Sequence, residues 1–352
     1  MVEVKTGPGA YIYACTRLRI RKTTLLPRED YLRLLNMGLP EITRFIEESA
    51  YKKEIDELGT SFSGIDLVEV ALSWNLAKEY QKILDIMPGT LKEFAANYLR
   101  RWDIQNVLTI LRGKQQGMKP GKIKELLVPA GSLDRIFLDR LLSEDSPARV
   151  VEALKGTRLY PVASEEINAA METGSFSHMA DEMYKEFYQD LVLKAESGLK
   201  GGVPFREYIR MEIDMKNIQI LCRLRQERPV GDITGMLVEG GSFSLADLQR
   251  LAGLESDDEF IDALEQKRFA RDGLQELLDD LRQKRPIHEI EVHISRIMME
   301  RMEHLTKRYP FSVCPVLEYL ERKWTEVRNL RALARGKKAE LPADRIRGYL
   351  VM

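Results

Sequence analysis

The chain has 352 residues, of which 44% are hydrophobic and 31% are charged, a composition typical of a folded globular protein. Its 54 Lys and Arg residues nearly balance 55 Asp and Glu residues, which gives a net charge of −1. This balance argues against nucleic acid as the main partner, because phosphate binding usually requires an excess of basic side chains. The length admits two or three units, or one large repeat body.

The first two dozen residues form a lead-in to the rest of the chain. Their opening, MVEVKTGPGAYIYAC, lacks the charged-then-apolar order of a signal peptide. No stretch approaches the run of about eighteen apolar residues that a membrane-spanning helix needs. The segment AYIYACTRLRI (10–20) is compatible with a strand or with a helix. We expect a cytosolic protein that can still rest against a membrane complex.

The three cysteines, Cys15, Cys222 and Cys314, are odd in number, far apart and without a CxxC pair. This pattern argues against a disulfide framework and favours a reducing compartment. Free cysteine packs as a small hydrophobic residue. We therefore predict that all three thiols are buried.

After the lead-in, short helical segments (REDYLRLLNM and EITRFIEE) precede a long helix over about 66–87. Its apolar side chains recur at helical spacing and form one stripe. The tetrapeptide MPGT then interrupts the helix, and Thr90 with Glu93 has the T-x-x-E pattern of a capping box. The next helix has an aromatic entry and carries DIQNVLTILRGK (103–114).

That last helix occurs three times in the chain. DIQNVLTILRGK returns as DMKNIQILCRLR and as EVRNLRALARGK, so that Asn217 follows Asn106 by 111 positions and Asn329 follows Asn217 by 112. The segments LLVPAGSLD, MLVEGGSFS and YLVM keep the same step. Each copy has an aromatic entry, an acid, an asparagine and an arginine, and a constant period of this kind indicates repeated structural units. The twelve motif residues are Tyr98, Asp103, Asn106, Arg112, Tyr208, Asp214, Asn217, Arg223, Tyr319, Glu326, Asn329 and Arg335.

The phase of the repeat predicts three helical modules of about 110 residues each. The predicted divisions are a lead-in of 1–24 and modules of 25–131, 132–241 and 242–352. The long helix recurs at about 178–198 and 288–308, and each copy ends at a Pro/Gly break, GGVP and YPFSVCP. Strand signals are scarce outside the lead-in. The predicted fold class is therefore all-α.

Two interpretations compete for the polar residues of the repeated helix. A catalytic carboxamide would be expected once, in one cleft, whereas three copies at nearly equal spacing favour a structural task. We expect the asparagine and arginine side chains to be buried and to hydrogen-bond the bends and helix ends of their own module.

Signatures of helical enzymes and metal sites are incomplete. Asp279 and Asp280 lack the third acid of a diphosphate-binding D-D-x-x-D pattern, because residue 283 is Gln. His288 and His293 are five residues apart and do not share a helix face as in HExxH. MMERMEH lacks the Glu-x-x-His spacing of di-iron bundles. We expect no catalytic, cofactor-binding or metal site.

Basic side chains are densest in RLRIRK (17–22) and near the end of the chain. The residues near the end are Arg328, Arg331, Arg335, Lys337, Lys338, Arg345 and Arg347. One interpretation is solvated helix faces and C-terminal helix turns, which the helix dipole favours. The other is contact with an acidic partner or with a membrane-proximal surface. The first interpretation is favoured.

The pieces YIYACTRLRIRKTTLLPREDYLRLL (11–35) and YLRRWDIQNVLTILRGK (98–114), together with the triplication, resemble the C subunit of archaeal and bacterial A-type/V-type ATP synthases. That family includes the d subunit of the eukaryotic vacuolar ATPase. The resemblance runs over essentially the whole chain. The third copy departs from the pattern by carrying Glu326 in place of Asp.

The resemblance implies a non-catalytic rotor adaptor without a cofactor. Members of the family form a funnel of three helical modules around a pseudo-threefold axis. One copy lies on the cytoplasmic face of the membrane proteolipid ring (c or K type), and central-stalk subunits of D and F type enter the funnel. A free-standing helical scaffold that recruits soluble partners is the alternative. A helical enzyme with an unrecognised site is a third hypothesis, which the incomplete motifs disfavour.

Overall fold

A computed structural model describes residues 8–199, 201–227, 234–266 and 275–352 of the chain. Over these residues the secondary structure is helical and contains no strand, which confirms the all-α class. The segment that the sequence left open between strand and helix is helical and belongs to α1 (Pro8–Lys22).

The same succession of elements occurs in each of the three segments that we treat as modules. Short helices come first, one long helix follows, and the helix with the motif asparagine, here called the motif helix, comes next. The first segment contains α2 (Arg28–Leu34), α3 (Leu39–Glu47), α4 (Lys52–Leu58), the long helix α5 (Gly64–Ile86), the motif helix in two parts, α6 (Gly89–Leu99) and α7 (Arg101–Gln115), and α8 (Pro120–Leu126). The second contains α9 (Arg135–Ser143), α10 (Pro147–Ala153), α11 (Tyr160–Thr173), the long helix α12 (Ser177–Glu196) and the motif helix α13 (Gly202–Glu227). The third contains α14 (Leu245–Ala252), α15 (Asp257–Gln266), α16 (Gln275–Arg282), the long helix α17 (Ile287–Arg308), the motif helix α18 (Cys314–Lys338) and α19 (Ala343–Arg347).

The three long helices begin and end within two residues of the bounds predicted from the apolar stripe and the Pro/Gly breaks. The motif helix is continuous in the second and third modules but interrupted at Arg100 in the first. The Nε of Arg101 donates to the carbonyl of Tyr98 at 3.3 Å. This side chain occupies an acceptor that a continuous helix would use for its own ladder.

Thr90 and Glu93 do not form the predicted capping box, since α6 has no side-chain cap. The hydroxyl of Thr90 is hydrogen-bonded with that of Tyr11 in the lead-in helix. Glu93 forms an ion pair with Lys194 at the end of α12. The prediction was wrong because both side chains have partners in other elements.

The motif helices pack between successive long helices. α13 contacts α12 of its own module and α17 of the next module. α18 contacts α17 of its own module and α5 of the first module. The last of these contacts joins the end of the chain to its beginning. From this cyclic order we infer that three modules close around a common axis.

One hydrophobic core contains buried side chains of all three modules and extends along the sequence from Ala14 to Leu350. A smaller cluster lies between α13 and the short helices of the third module.

The three cysteines are free and buried, as predicted. Burial raises the pKa of the Cys15 and Cys314 thiols to about 11. In the described parts of the chain, every helix is too short or too polar to cross a bilayer.

Candidate functional site: module joints and an axial cavity

Each motif asparagine exchanges two hydrogen bonds with the backbone of a valine 21 or 22 residues later. In each pair the side-chain amide donates to the valine carbonyl and the valine N–H donates to the side-chain oxygen. The pairs are Asn106 with Val128, Asn217 with Val238, and Asn329 with Val351, at distances from 2.7 to 3.0 Å. All six residues are buried.

These valines lie in extended segments after the motif helix, and the described residues include no strand to pair with them. A buried backbone N–H and C=O need partners, because leaving them without one costs about 1–3 kcal/mol. The amide supplies one donor and one acceptor, as a neighbouring strand would. This geometry supports a structural role for the asparagines, which remains our proposal.

The first motif acid holds the joint between the first and second modules. The carboxylate of Asp103 accepts hydrogen bonds from the backbone N–H groups of Ser132 and Leu133, both at 2.9 Å. The Ser132 hydroxyl donates to it at 2.6 Å. These residues immediately precede Asp134, the N-cap of α9. The acid therefore fixes the point where the next module begins.

The second and third motif acids occupy the corresponding joints. Asp214 accepts the N–H of Ser242 at 2.7 Å, and Ser242 lies two residues before Ser244, the N-cap of α14. Glu326 accepts the N–H of Leu26 at 2.7 Å, and Leu26 lies two residues before α2 as Leu133 lies two residues before α9. The acid of the third module thus binds the entry of the first. The chain does not run directly across this joint, because residues 26 and 326 are 300 positions apart in the sequence.

The third joint differs from the other two in the length of its acid. A Cβ on Gly131 would lie 2.1 Å from Oδ1 of Asp103, so the short carboxylate requires an approach that only glycine permits. The position equivalent to Gly131 before α2 is Thr24, which carries a side chain. The acid at this joint is one methylene longer and reaches the N–H of Leu26.

Other buried groups complete the third joint. The hydroxyl of Tyr51 donates to Oε1 of Glu326 at 2.6 Å, and the Lys323 ammonium lies 2.8 Å from the same oxygen. Lys323 also donates to the Tyr51 hydroxyl at 2.9 Å. A buried ion pair is tolerated only when its hydrogen-bonding groups have partners, and these contacts supply them.

The prediction that the motif arginines are buried within their own module is wrong. Arg112, Arg223 and Arg335 are all exposed. Arg223 forms an ion pair with Glu291 of α17, and Arg335 forms one with Glu69 of α5. Each of these two pairs joins a motif helix to the long helix of the following module. The aliphatic part of an arginine side chain can pack on the protein while its guanidinium stays in water. Helical spacing alone therefore does not predict whether the guanidinium is buried.

The motif tyrosines of the first two modules contact each other. The hydroxyls of Tyr98 and Tyr208 are 2.8 Å apart, and their rings pack edge to face. Tyr98 also donates to Glu321 at 2.7 Å, and the Tyr208 hydroxyl lies 3.9 Å from the sulfur of Met302. Tyr319 lies elsewhere and donates to Glu79 at 2.8 Å. The structure therefore brings together two of the three motif tyrosines.

A charged cluster next to this pair takes one residue from each module. The Arg101 guanidinium lies 2.6 Å from Glu212 and 3.3 Å from Glu321. It also stacks 3.7 Å from the centre of the Tyr98 ring. Burial opposes the charged form of Arg101, but Glu212 and the other groups around it outweigh burial and raise the Arg101 pKa. Burial raises the pKa of Glu321, and Arg101 opposes that rise.

A cavity of about 300 Å³ opens beside the cluster and takes its walls from all three modules. Residues of the lining include Tyr98, Arg101, Tyr188, Lys216, Glu321 and Trp324. Its aromatic walls and several polar groups give it the character of a binding site.

A larger groove of about 580 Å³ lies between α5 and α9 and contains none of the twelve motif residues. Its cations are already engaged. Arg135 stacks 4.2 Å from the Trp74 ring centre, and Lys124 forms an ion pair with Asp139 at 2.7 Å. The axial cavity is therefore the stronger candidate site.

The histidines considered for a metal site are not brought together. His288 stacks on Tyr349 at 4.8 Å, whereas His293 contacts Asp280. Over the described ranges, no group of three or more His, Cys, Asp and Glu side chains is arranged to hold a metal ion.

Several cations of the two basic clusters bind within the chain. Arg21 and Lys22 of α1 form ion pairs with Glu79 and Glu318. The Lys337 ammonium donates to the carbonyl of Leu35 at 2.6 Å. These contacts attach α1 to the first and third modules and α2 to the third module.

Sequence reasoning missed Arg101, Glu212 and Glu321. One signal was available, since Arg101 and Glu212 both lie five residues before a motif asparagine and carry opposite charges. Charged residues of opposite sign at equivalent positions of the repeat indicate a contact between modules. Glu321 has no such signal, because the third module has Trp324 at that position.

Comparison with known proteins places these features in context. A family model described as ATP synthase (C/AC39) subunit matches residues 14–349. The chain is 36% identical to the C subunit of the A-type ATP synthase of Methanococcoides burtonii over 347 residues, which is 97% of this chain and 94% of the relative.

Two further relatives carry the same name and match over almost their full length. Identity to the protein of Archaeoglobus fulgidus is 34% over 350 residues, covering 99% of this chain and 98% of the relative. Identity to the protein of Haloferax volcanii is 33% over 348 residues, covering 99% of each. The matched region includes all three modules and both axial features, the charged cluster and the cavity.

Proposed function

The chain belongs to the ATP synthase (C/AC39) subunit family, and we propose that it is the non-catalytic coupling component of a rotary A-type ATP synthase. In this role it links the membrane proteolipid ring to the central stalk. Rotation of either part is then transmitted to the other, so that translocation of protons or sodium ions is coupled to ATP synthesis or hydrolysis.

The observation that carries the proposal is the axial meeting point of the three modules. Arg101, Glu212 and Glu321 come from different modules and form one charged cluster beside a cavity. A cavity on the axis of a ring-like body can receive side chains from the end of a stalk without moving the stalk off that axis. A linear array of helical modules would offer no such socket.

Transmission of torque requires a body that does not shear between modules. The shared hydrophobic core supports this requirement, because close-packed interiors are stiff. The joints at Asp103, Asp214 and Glu326 add buried hydrogen bonds at each module boundary. Since the third joint links the last module to the first, strain at one boundary can be shared by the other two.

The partners proposed for this chain are central-stalk subunits of D and F type and the proteolipid ring of c or K type. One copy per complex is expected, because a single adaptor fits on a single axis. We propose a peripheral position on the cytoplasmic face of the membrane.

A free-standing helical scaffold that recruits soluble partners is the second candidate. It is less well supported, because a recruiting surface does not require three modules to share a buried charged cluster on their axis. Membrane fractionation distinguishes the two, since a scaffold would remain in the supernatant while the coupling component would sediment with the ring.

The experiment that tests the proposal is affinity purification of this chain from detergent-solubilised membranes. We expect the proteolipid ring and central-stalk subunits in the eluate, at one copy of this chain per complex by mass spectrometry. The isolated chain is expected to hydrolyse no nucleotide. Recovery of the chain as a free monomer without those partners would overturn the proposal.

A further inference from the structure

Three polar residues at equivalent positions of the motif helices are here called the polar layer, and two of them line the axial cavity. Gln105, Lys216 and Arg328 each stand one residue before a motif asparagine. Gln105 and Lys216 follow Arg101 and Glu212 by four residues, so they lie on the same helix faces as the cluster. Gln105 and Lys216 line the cavity. The layer contains two cations and no acid.

Lys216 is a cation without a close counter-ion. Its ammonium lies 5.9 Å from the centre of the Tyr184 ring, and it forms no ion pair or hydrogen bond with the residues that the structure describes. Burial lowers the pKa of Lys216, and Arg223 lowers it further. Asp181, Glu291 and Glu212 oppose this shift from beyond ion-pair distance. The cavity therefore holds a partly desolvated positive charge that is only weakly compensated.

Arg328 is the second cation of the layer. It is half-buried and forms no ion pair within the described segments, although its charge acts on Glu321 in the axial cluster. Its neighbours on α18 are engaged, since Arg322 pairs with Glu318 and Arg335 pairs with Glu69. Within the described segments, Lys216 and Arg328 thus both lack an ion pair, and both belong to the polar layer.

We propose that the axial cavity binds a carboxylate of the partner protein, an Asp or Glu side chain at the end of a central-stalk helix, through Lys216 of its wall, with Arg328 adding positive charge from outside the lining. This inference rests on the proposed function and adds the chemistry of the contact. A volume of about 300 Å³ accommodates one or two side chains, and does not accommodate a folded domain.

The surroundings of the cavity suit such an ion pair. Trp102, Trp324 and Tyr184 form part of its wall, and the low local dielectric beside aromatic rings strengthens a charge-assisted hydrogen bond. In the free chain, a partly desolvated cation with only weak compensation costs free energy. A carboxylate from the partner would remove that cost on binding and would favour one depth of insertion.

The test measures binding of the full chain to the purified central-stalk subcomplex of the same ATP synthase. The variants are Lys216→Met and Arg328→Met, which keep side-chain length but remove the charge. Lys119→Met is the matched control, because Lys119 is exposed and lies outside the cavity. Thermal unfolding of each variant is followed in parallel.

We expect Lys216→Met to raise the Kd by about 10- to 100-fold, the factor that one charged hydrogen bond supplies. Arg328→Met should act in the same direction, and Lys119→Met should leave the Kd unchanged. The unfolding temperature of Lys216→Met should be unchanged or higher, since the variant removes an unpaired charge. A merely structural lysine would instead lower it.

A charge exchange completes the test. Lys216→Glu should abolish binding, and replacing one acidic residue at the end of the stalk by Lys should restore it. Wild-type affinity in both methionine variants would overturn the carboxylate contact and leave the coupling function intact. Failure of the wild-type chain to bind the stalk subcomplex would overturn the proposed function, and this inference with it.

Discussion

At the scale of single residues, three asparagines do the work that a neighbouring strand does in a sheet. Each binds both backbone groups of a buried valine. The repeated sequence made this role predictable, because a polar residue that returns at a fixed position within an apolar helix has a recurring buried partner. The identity of the partner was not predictable, since it lies 21 or 22 residues away in a segment with no regular structure.

Replacement of Asn106 by Ala tests this residue-scale account. The change leaves the N–H and C=O of Val128 without partners, and we expect the free energy of unfolding to fall by about 1–3 kcal/mol. Chemical denaturation of the purified chain provides the measurement. Asn36→Ala is the matched control, because Asn36 is exposed and its side chain binds only the carbonyl of Leu32; its effect should stay within about 0.5 kcal/mol. Equal stability of the Asn106 variant and wild type would contradict the structural role.

At the scale of elements, three acids join each module to the next in a cyclic order. Asp103 and Asp214 act across joints that the chain itself connects. Glu326 acts across the joint where the chain is not continuous. Chain connectivity limits how far the first two joints can separate, whereas only packing and side-chain contacts hold the third. The third joint is therefore where a change in the acid should have the largest effect.

Glu326→Asp tests the closure of the third joint. An aspartate is one methylene shorter and should no longer reach the N–H of Leu26, although the aspartates of the other joints are adequate there because glycine lies beside them. We expect a loss of about 1–3 kcal/mol in the free energy of unfolding. Amide hydrogen exchange should speed up at Leu26 and remain unchanged at Leu133, which serves as the internal control. Unchanged protection of Leu26 would indicate that Glu326 does not hold this joint.

Element boundaries were more predictable than the contacts between elements. Apolar spacing and Pro/Gly breaks placed the long helices within two residues, because both signals are local. The capping box failed because Glu93 pairs with Lys194, a residue of another module. The prediction that the motif arginines are buried was wrong for a related reason. Residues of the following module supply the partners of Arg223 and Arg335. The local sequence around a residue does not indicate which distant residues its side chain contacts.

At the scale of the whole molecule, the same order of elements appears three times and is inferred to close on itself. The contact of α18 with α5 supports closure, as does the axial cluster of Arg101, Glu212 and Glu321. The repeat period predicted the number of modules, but it could not predict which residues meet on the axis. Those residues differ between modules, and comparison of the repeated copies cannot identify a site whose residues are not repeated.

The most direct measurement of the central claim is the number of ions moved per ATP hydrolysed by membrane vesicles that contain or lack this chain. We predict that vesicles without it retain ATP hydrolysis by the catalytic head but take up no ions, because the head and the ring are no longer mechanically connected. Addition of the purified chain should restore ion uptake. An equal ratio of ions moved to ATP hydrolysed in the presence and absence of the chain would contradict the account.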